Sequence, residues 1–425
     1  MTDARAAPHA SQSPPAADGA SPRSAVAGWV LKGLGNALFS QNMIANYFPV
    51  WLVAVMGAND GLISLSNTVV MALMLFVGPW LGAVSDRLPR RMPVLAVTTL
   101  GASLLIALLG GDIWVSLVIY SLANLLFQSS LIIFDALLPA VSTESNRGRV
   151  NGLAVGLGYF GSLAGLAIGG VVLSRGGDYL TVFRITALVA VLLALPCFIW
   201  VREPTRVAEP LRPLALARGA FADVRTTLGH ATRSPLLVRF LIGRTLYSMA
   251  GGAIAIFMAI YLTVQLGYSS GEKDRILLVA ILGAIAGGLL WGRVVDAIGA
   301  RTALLTILAV WCVALAAIAA SGFGLLANET LWVSRPLAGF ALGGTWASDR
   351  PLMAALSPSA QLGQFFGLYG LAGRLAGLLG PLVWTLVSQV LGLGRPAALL
   401  TLLVLVAVAM MLLRPIPANF GRNLP

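Results

Sequence analysis

The sequence predicts an all-α membrane protein whose twelve transmembrane helices form two pseudo-symmetric six-helix bundles, and three observations carry that prediction. Of the 425 residues, 58% are hydrophobic and only 10% are charged, against about 25% charged in an ordinary soluble domain. The apolar residues fall into twelve stretches, each able to cross a hydrocarbon core of about 30 Å with roughly 20 helical residues. Those stretches divide six and six around one long basic interruption, and features of the first half return in the second.

Residues 1–24 are rich in Ala, Ser and Pro and lack an apolar core. They read as a disordered cytoplasmic tail, not a signal peptide, because the first apolar run is too long for an h-region. Spans are expected at about 29–56, 61–84, 92–110, 113–139, 150–173 and 181–201 in an N-terminal bundle placed at 25–201. A cytoplasmic linker at 202–236 follows; the stretch from Arg202 to Arg239 holds seven arginines together with Pro204, Pro210 and Pro213. The C-terminal bundle, at 237–415, has spans at about 237–266, 276–295, 302–320, 330–356, 364–391 and 396–414, and a short cytoplasmic tail covers 416–425. The remaining loops are short, so successive helices are antiparallel neighbours, and an even number of spans puts both termini on one side.

With the termini inside, cytoplasmic segments hold about 20 of the 28 Lys and Arg residues and the opposite loops about six, the asymmetry expected of a multi-pass protein. Arg-rich, Lys-poor usage fits a cell inner membrane. The net charge of +12 forms no continuous basic stripe, so nucleic acid is not an expected partner. Cys197 and Cys312 lie in separate apolar runs, and His9 and His230 lie outside the spans. Neither a metal cluster nor an intramembrane histidine relay is therefore expected. No phosphate-binding loop or catalytic cluster is present, which argues against an ATP-driven pump, an enzyme or a resident cofactor.

The halves repeat. WLGAVSDRLPRR (80–91) has its counterpart in LWGRVVDAIGAR (290–301), with Asp86 and Asp296 separated by 210 residues, and LLPAVSTESNRGRVNGLAVGLGYFGSLAG (137–165) echoes LMAALSPSAQLGQFFGLYGLAGRLAG (352–377). Two related halves joined by a basic loop point to a transporter built from parallel repeats, with its site between the halves near mid-membrane.

At these residues the chain resembles a known family. GAVSDRLPRR (82–91) resembles the G-x-x-x-D-R-x-G-R-R loop of the major facilitator superfamily, with Pro89 in place of Gly, and GRVVDAIGAR (292–301) is a weaker second copy. FDALLPAVSTESNRGRVNGLAVGLGYFGSLAG (134–165), GFALGGTWASDRPLMAAL (339–356) and QFFGLYGLAGRLAGLLGPLVWTLVSQ (364–389) resemble the UMF1 branch, which includes the Atg22-like vacuolar effluxers. That branch carries Asp-Trp-Ala-Asn in its first helix and Tyr-Asn-Asp-Gly in its seventh. Here the matching stretches read GLGN (33–36) and YSMA (247–250), so Asn36 and Tyr247 remain and both aspartates are gone. The resemblance implies the major facilitator fold and export of a small polar, amino-acid-like organic solute. It also implies that helix pairs two–eleven and five–eight slide across the halves.

Candidate gate residues follow. The resemblance implies that Asp86 bonds the amide end of helix eleven and an arginine of the loop between helices four and five, for which Arg147 and Arg149 are the candidates. Asp296 and Arg301 take the equivalent place in the second half. Arg87, Arg90 and Arg91 are read either as gate partners or as topology determinants on anionic lipid. Asp135 and the Asp349–Arg350 pair sit at related positions near the inner mouth; either Asp135 pairs with Arg350 across the halves, or these are solvated helix-end residues.

Candidate substrate residues lie deeper. Arg374 falls about ten residues into its span, roughly 15 Å from the inner end. A cation there costs at least about 2.5–3.5 kcal/mol unless it meets water or a partner. It is read as binding an anionic group of the substrate, or else as an internal pair; Arg244 is the shallower second candidate. Asn36, Gln41, Asn42 and Asn46 in span one, with Asn124 and Gln128 in span four, should face the bundle interior, bonding either a solute or each other. Tyr247, Tyr261, Trp346 and Tyr369 are candidate aromatic walls. Gly161, Gly165 and Gly169, Gly283 and Gly287, Gly78 and Gly82, and Gly373 and Gly377 are four-residue rows assigned to close packing at the moving seams.

The expected function is alternating-access secondary transport by a monomer in the lipid bilayer, with a small-molecule substrate and protons as the candidate coupling ion. The rivals are an exporter of lipophilic, drug-like compounds and a non-transporting receptor or scaffold on the same fold.

Overall fold

The computed structural model describes residues 23–142, 147–203, 234–357 and 362–417, with residues 219 and 229. The tail at 1–22, most of the linker and residues 418–425 lie outside the described residues. Those described are helical, with no strand among them. We number the long helical segments in chain order. In the N-terminal half these are α1 (23–55), α2 (Asp60–Arg87), α3 (Met92–Ala107), α4 (Ile113–Ala136), α5 (Arg147–Ser174) and α6 (Tyr179–Trp200). In the C-terminal half they are α7 (Pro235–Ile260), α8 (Ser270–Ile298), α9 (Ala300–Gly322), α10 (Leu331–Leu356), α11 (Leu362–Thr385) and α12 (Gly394–Leu413).

Among the described residues, nine helices are long and apolar enough to cross a membrane. The other three depart for identifiable reasons. α3 is apolar but 16 residues long, and α10 carries Arg335, Asp349 and Arg350. α1 is interrupted: after Arg23–Phe39 it passes through a wide π turn at Ser40–Ala45, a short turn at Tyr47–Val50 and a second π turn at Trp51–Val55. Pro49 contributes to the break, because it has no N–H to continue the ladder.

The halves match helix by helix. α1 packs on α5 and α6, α2 on α4, and α3 on α4 and α6; in the second half α7 packs on α11 and α12, α8 on α10, and α9 on α10 and α12. The first connections even repeat in detail. π turns at Trp51–Val55 and Tyr261–Gln265 lead to Gly57 (φ 76°) and Gly267 (φ 72°), left-handed positions that favour glycine. The caps Asn59 and Ser269 then start α2 and α8 by accepting from Leu62 N and Glu272 N.

Across the halves the contacts run between α2 and α11 and between α5 and α8, with α7 touching the broken part of α1. The glycine rows correct one expectation. A Cβ at Gly161 would fall 2.1 Å from the Leu34 carbonyl oxygen and one at Gly169 2.0 Å from the Tyr47 ring, so this row seats α1 on α5 within one half. Gly283 and Gly287 likewise receive the backbone of Pro336 and Phe340, seating α10 on α8. Gly78 and Gly377 do lie at the α2–α11 seam, against Arg374 and Met71, whereas a Cβ at Gly82 would meet nothing within 4 Å. Backbones approach where no side chain intervenes, the main source of packing when lipid supplies no hydrophobic drive between helices.

Candidate functional site

α7, α10 and α11 bring four predicted residues into one buried cluster in the C-terminal half. Arg244 Nε lies 3.7 Å from Asp349 Oδ2, an ion pair longer than a direct hydrogen bond. Tyr369 Oη donates to the same oxygen at 2.9 Å and Tyr247 Oη at 3.4 Å. The Arg244 guanidinium lies over the Tyr369 ring, 3.4 Å from its centroid, and Nη1 donates to Ser248 Oγ at 3.3 Å. Asp349 Oδ1 and Arg244 Nε are buried without a hydrogen-bond partner. Asp349, expected beside Arg350 at a gate, is thus held by Arg244, because it points into the bundle while Arg350 is exposed.

Arg374, in α11 beside this cluster, reaches across the seam between halves. A Cβ on Gly78 of α2 would fall 2.7 Å from its Nη1 and 2.8 Å from its Cζ, so the guanidinium covers the backbone where only glycine leaves room. It is half-buried and makes neither a hydrogen bond nor an ion pair among the described residues. Trp346 on α10 is 57% exposed, with Arg350 Cζ 5.8 Å above its ring. Tyr261 instead bonds the Ile318 carbonyl at 3.0 Å, inside its own half.

The amides divide by helix. Asn42 donates to Thr186 Oγ1 at 2.8 Å and Asn124 to Asn67 Oδ1 at 3.2 Å, both ties between helices of the N-terminal half. Asn36 accepts from Lys32 Nζ. Gln41 and Gln128 are half-buried and make no hydrogen bond among the described residues. Asn46 crosses between the halves, accepting from Lys273 Nζ at 2.5 Å and donating to Asp274 Oδ1 at 3.2 Å.

That last contact belongs to a set which sequence reasoning missed. On the side away from the termini, where α2 and α8 begin, buried charges bridge the halves at two places. Asp60, fully buried, receives Arg395 Nε at 2.8 Å, Arg395 Nη2 at 2.9 Å and Trp384 Nε1 at 3.1 Å. At the other seam Lys273 Nζ is 2.8 Å from Asp274 Oδ1 and 4.6 Å from the Tyr47 ring centroid. Tyr47 Oη is 2.8 Å from Asp274 Oδ2 and 2.9 Å from the Leu166 carbonyl. The visible signal was an acid near the start of the second helix in each half, Asp60 in the first turn of α2 and Asp274 just past the first turn of α8. By hydropathy the apolar runs begin at 61 and 276, which leaves these residues in loops, whereas α8 starts at Ser270.

On the side of the termini the predicted gate residues are spread out. The side chains of Asp86, Arg147 and Arg149 lie outside the described part of the structure. Arg91 Nη1 donates to the Ala136 carbonyl at 2.6 Å, and the amides of Arg91 and Met92 bind Glu203 at 2.9 and 2.6 Å, all within one half. Arg87 is half-buried and Arg90 exposed. Arg301 Nη2 donates to the Arg414 carbonyl, also within one half, and Asp296 is exposed. Asp135 and Arg350, both exposed, feel each other's charge across the halves without forming an ion pair.

Comparison with known proteins adds the following. A family model described as "Vacuole effluxer Atg22 like" matches residues 140–423. The chain is 21% identical over 411 residues to an uncharacterized MFS-type transporter, YxiO, of Bacillus subtilis (strain 168), covering 92% of this chain and 94% of the relative. Among solved structures it resembles the nucleoside transporter NupG, with a TM-score of 0.70 at 13% identity over 92% of this chain and 99% of that one. It also resembles an inward-facing bacterial homologue of the human lysosomal transporter Spinster, with a TM-score of 0.66 at 13% identity over 92% and 95% of the two chains.

Proposed function

We propose a function from one premise, that this chain belongs to the Atg22-like family: as a multi-pass membrane transporter of the major facilitator fold, it exports a small polar organic solute that carries an anionic group. The observation that supports this reading is Arg374, a guanidinium at the seam of the two halves with no protein partner among the described residues. An intramembrane cation without water or a counter-charge is costly, and a bound carboxylate supplies that counter-charge in planar, bidentate form. The neighbouring Asp349 Oδ1 and Arg244 Nε, both without a hydrogen-bond partner, offer an acceptor and a donor for the solute's remaining polar groups.

Alternating access then works through two sets of contacts. In the form described, Asp60–Arg395–Trp384 and Asn46–Tyr47–Lys273–Asp274 hold the far side shut. Past Gly78 toward the termini, a Cβ on Gly82 would meet nothing within 4 Å. Rocking the halves breaks the far-side set, admits water to it, and brings Asp135 toward Arg350 to close the other side. An ion pair strengthens as its surroundings dry and weakens as water enters, so each set stabilises one state only. With the termini cytoplasmic, as the arginine asymmetry implies, the described form takes solute from the inside.

Counterflow in proteoliposomes tests the proposal with a labelled panel of small organic anions, amino acids and neutral analogues, with and without a pH gradient. Accumulation of an anionic member, lost in Arg374→Ala, is expected; a response to the gradient reads proton coupling. Folded protein that exchanges only neutral or lipophilic compounds would overturn the reading.

A further inference from the structure

A second intramembrane cation lies in the N-terminal half, away from the seam. Lys32 of α1 is 2% exposed, donates to Asn36 Oδ1 and lies 6.0 Å from the Phe134 ring centroid. It makes no ion pair with a carboxylate among the described residues. Lys32 and Asn36 line a narrow cavity between α1, α3, α4 and α6, together with Thr99, Ser103 and Ser130 and the apolar walls of Phe39, Ala102, Phe127 and Ala190. The space admits about one water-sized guest. Thr99 Oγ1, on the same wall, is 5% exposed at residue level and has no hydrogen-bond partner, whereas Ser130 already donates to the Phe127 carbonyl at 2.8 Å.

The charge inventory is one-sided. An ammonium has three N–H donors and no acceptor, and one of them serves Asn36. Thr99, whose hydroxyl has no partner, lines the same space. Burying a charge is tolerated when a counter-charge and hydrogen bonds compensate it; the hydroxyls of Thr99, Ser103 and Ser130 can accept as well as donate, but the residues lining the cavity include no carboxylate. An organic carboxylate or sulfate is too large for such a space; a chloride ion, somewhat larger than water, enters if the side-chain walls give by a few tenths of an ångström.

We infer that the Lys32 cavity is a binding site for a small monovalent anion of the chloride class, which completes the charge balance inside the N-terminal bundle independently of the transported solute. Lys32 supplies the charge, and Thr99 with Ser103 supplies hydroxyl donors. The bound ion ties α1 to α3.

The test uses the purified full-length chain, stripped into potassium gluconate and titrated with potassium chloride or bromide at constant ionic strength. Thermal unfolding and equilibrium dialysis of radiolabelled chloride are the readouts. A saturable rise in unfolding temperature with chloride and bromide is expected, with one ion bound per chain and no response to sulfate. Lys32→Met should abolish both effects, and Thr99→Val should weaken chloride affinity about tenfold or more, the value of one charge-assisted hydrogen bond. No chloride binding above the gluconate baseline would overturn the inference, leaving an amine satisfied by Asn36 and water. Unchanged binding in Lys32→Met would overturn it equally. If Lys32→Met does not fold, unchanged affinity in Thr99→Val does so instead.

Discussion

Replacing Asp60 by Asn should open the far side of the protein. Asp60 is fully buried and accepts three bonds, two from Arg395 at 2.8 and 2.9 Å and one from Trp384 at 3.1 Å. The substituted amide would keep acceptor capacity on one atom but lose the charge, leaving Arg395 uncompensated at a dry seam. Removing one member of a buried pair costs about 3–5 kcal/mol. The retained hydrogen bond puts this case at the lower end, and the penalty falls only on the closed form, since opening hydrates Arg395. At 1.4 kcal/mol per decade, about 3 kcal/mol shifts the closed-to-open ratio by more than about 100-fold. The assay is pulsed electron paramagnetic resonance between labels at Val55→Cys and Val390→Cys, exposed positions on the two halves, with Cys197 and Cys312 replaced by Ala. A new long-distance population should appear in Asp60→Asn and shrink when Arg395→Gln is added. A distance distribution identical to the parent, in protein that remains folded, would refute the assignment of Asp60 to the closure.

Other substitutions separate packing from function. Gly161→Ala and Gly287→Ala each drive a methyl to 2.1 Å from a carbonyl oxygen of the facing helix. They should lower stability by about 1–3 kcal/mol in thermal unfolding, while Gly82→Ala, whose Cβ meets nothing within 4 Å, should match the parent. Arg244→Ala strands Asp349 inside the bundle and should cost about 3–5 kcal/mol; Arg244→Lys should recover only part, because the ammonium cannot reproduce the guanidinium stack on Tyr369. Trp384→Phe keeps an aromatic ring against Phe257, now stacked at 4.9 Å, but removes the donor to Asp60. Its long-distance population should lie between those of the parent and Asp60→Asn in the same resonance assay.

The architecture was legible because lipid constrains it so heavily: every span must satisfy its own backbone, so apolar length reports the helices directly. The repeat was legible in the loops at 80–91 and 290–301 for the same reason that it holds in space, two copies of one packing scheme. Arg374 stands out in the sequence because a lipid-facing cation is costly at its expected depth, and the structure puts it half-buried against Gly78 of the other half. What escaped were charges near helix starts and ends. Asp60, Asp274 and Arg395 lie where hydropathy cannot tell a wet loop from a sealed seam, since that difference is made by the opposite half. Lys32 also escaped, although it stands 212 residues before Arg244 and each cation has a polar partner four residues on, Asn36 and Ser248. For the glycine rows, spacing reports close approach without naming the neighbour; contact with α1 and α10 shows that most of them hold each half together.

The most direct test of the account is ligand-induced stabilisation compared between the parent chain and Arg374→Ala, titrated with the anionic solute that gives the strongest counterflow. The account predicts a saturable rise in unfolding temperature for the parent and at least a tenfold weaker response in the variant, the worth of roughly one bidentate charge-assisted contact. Equal stabilisation of both proteins over the same concentration range would contradict it, and would place the solute away from the seam that Arg374 spans.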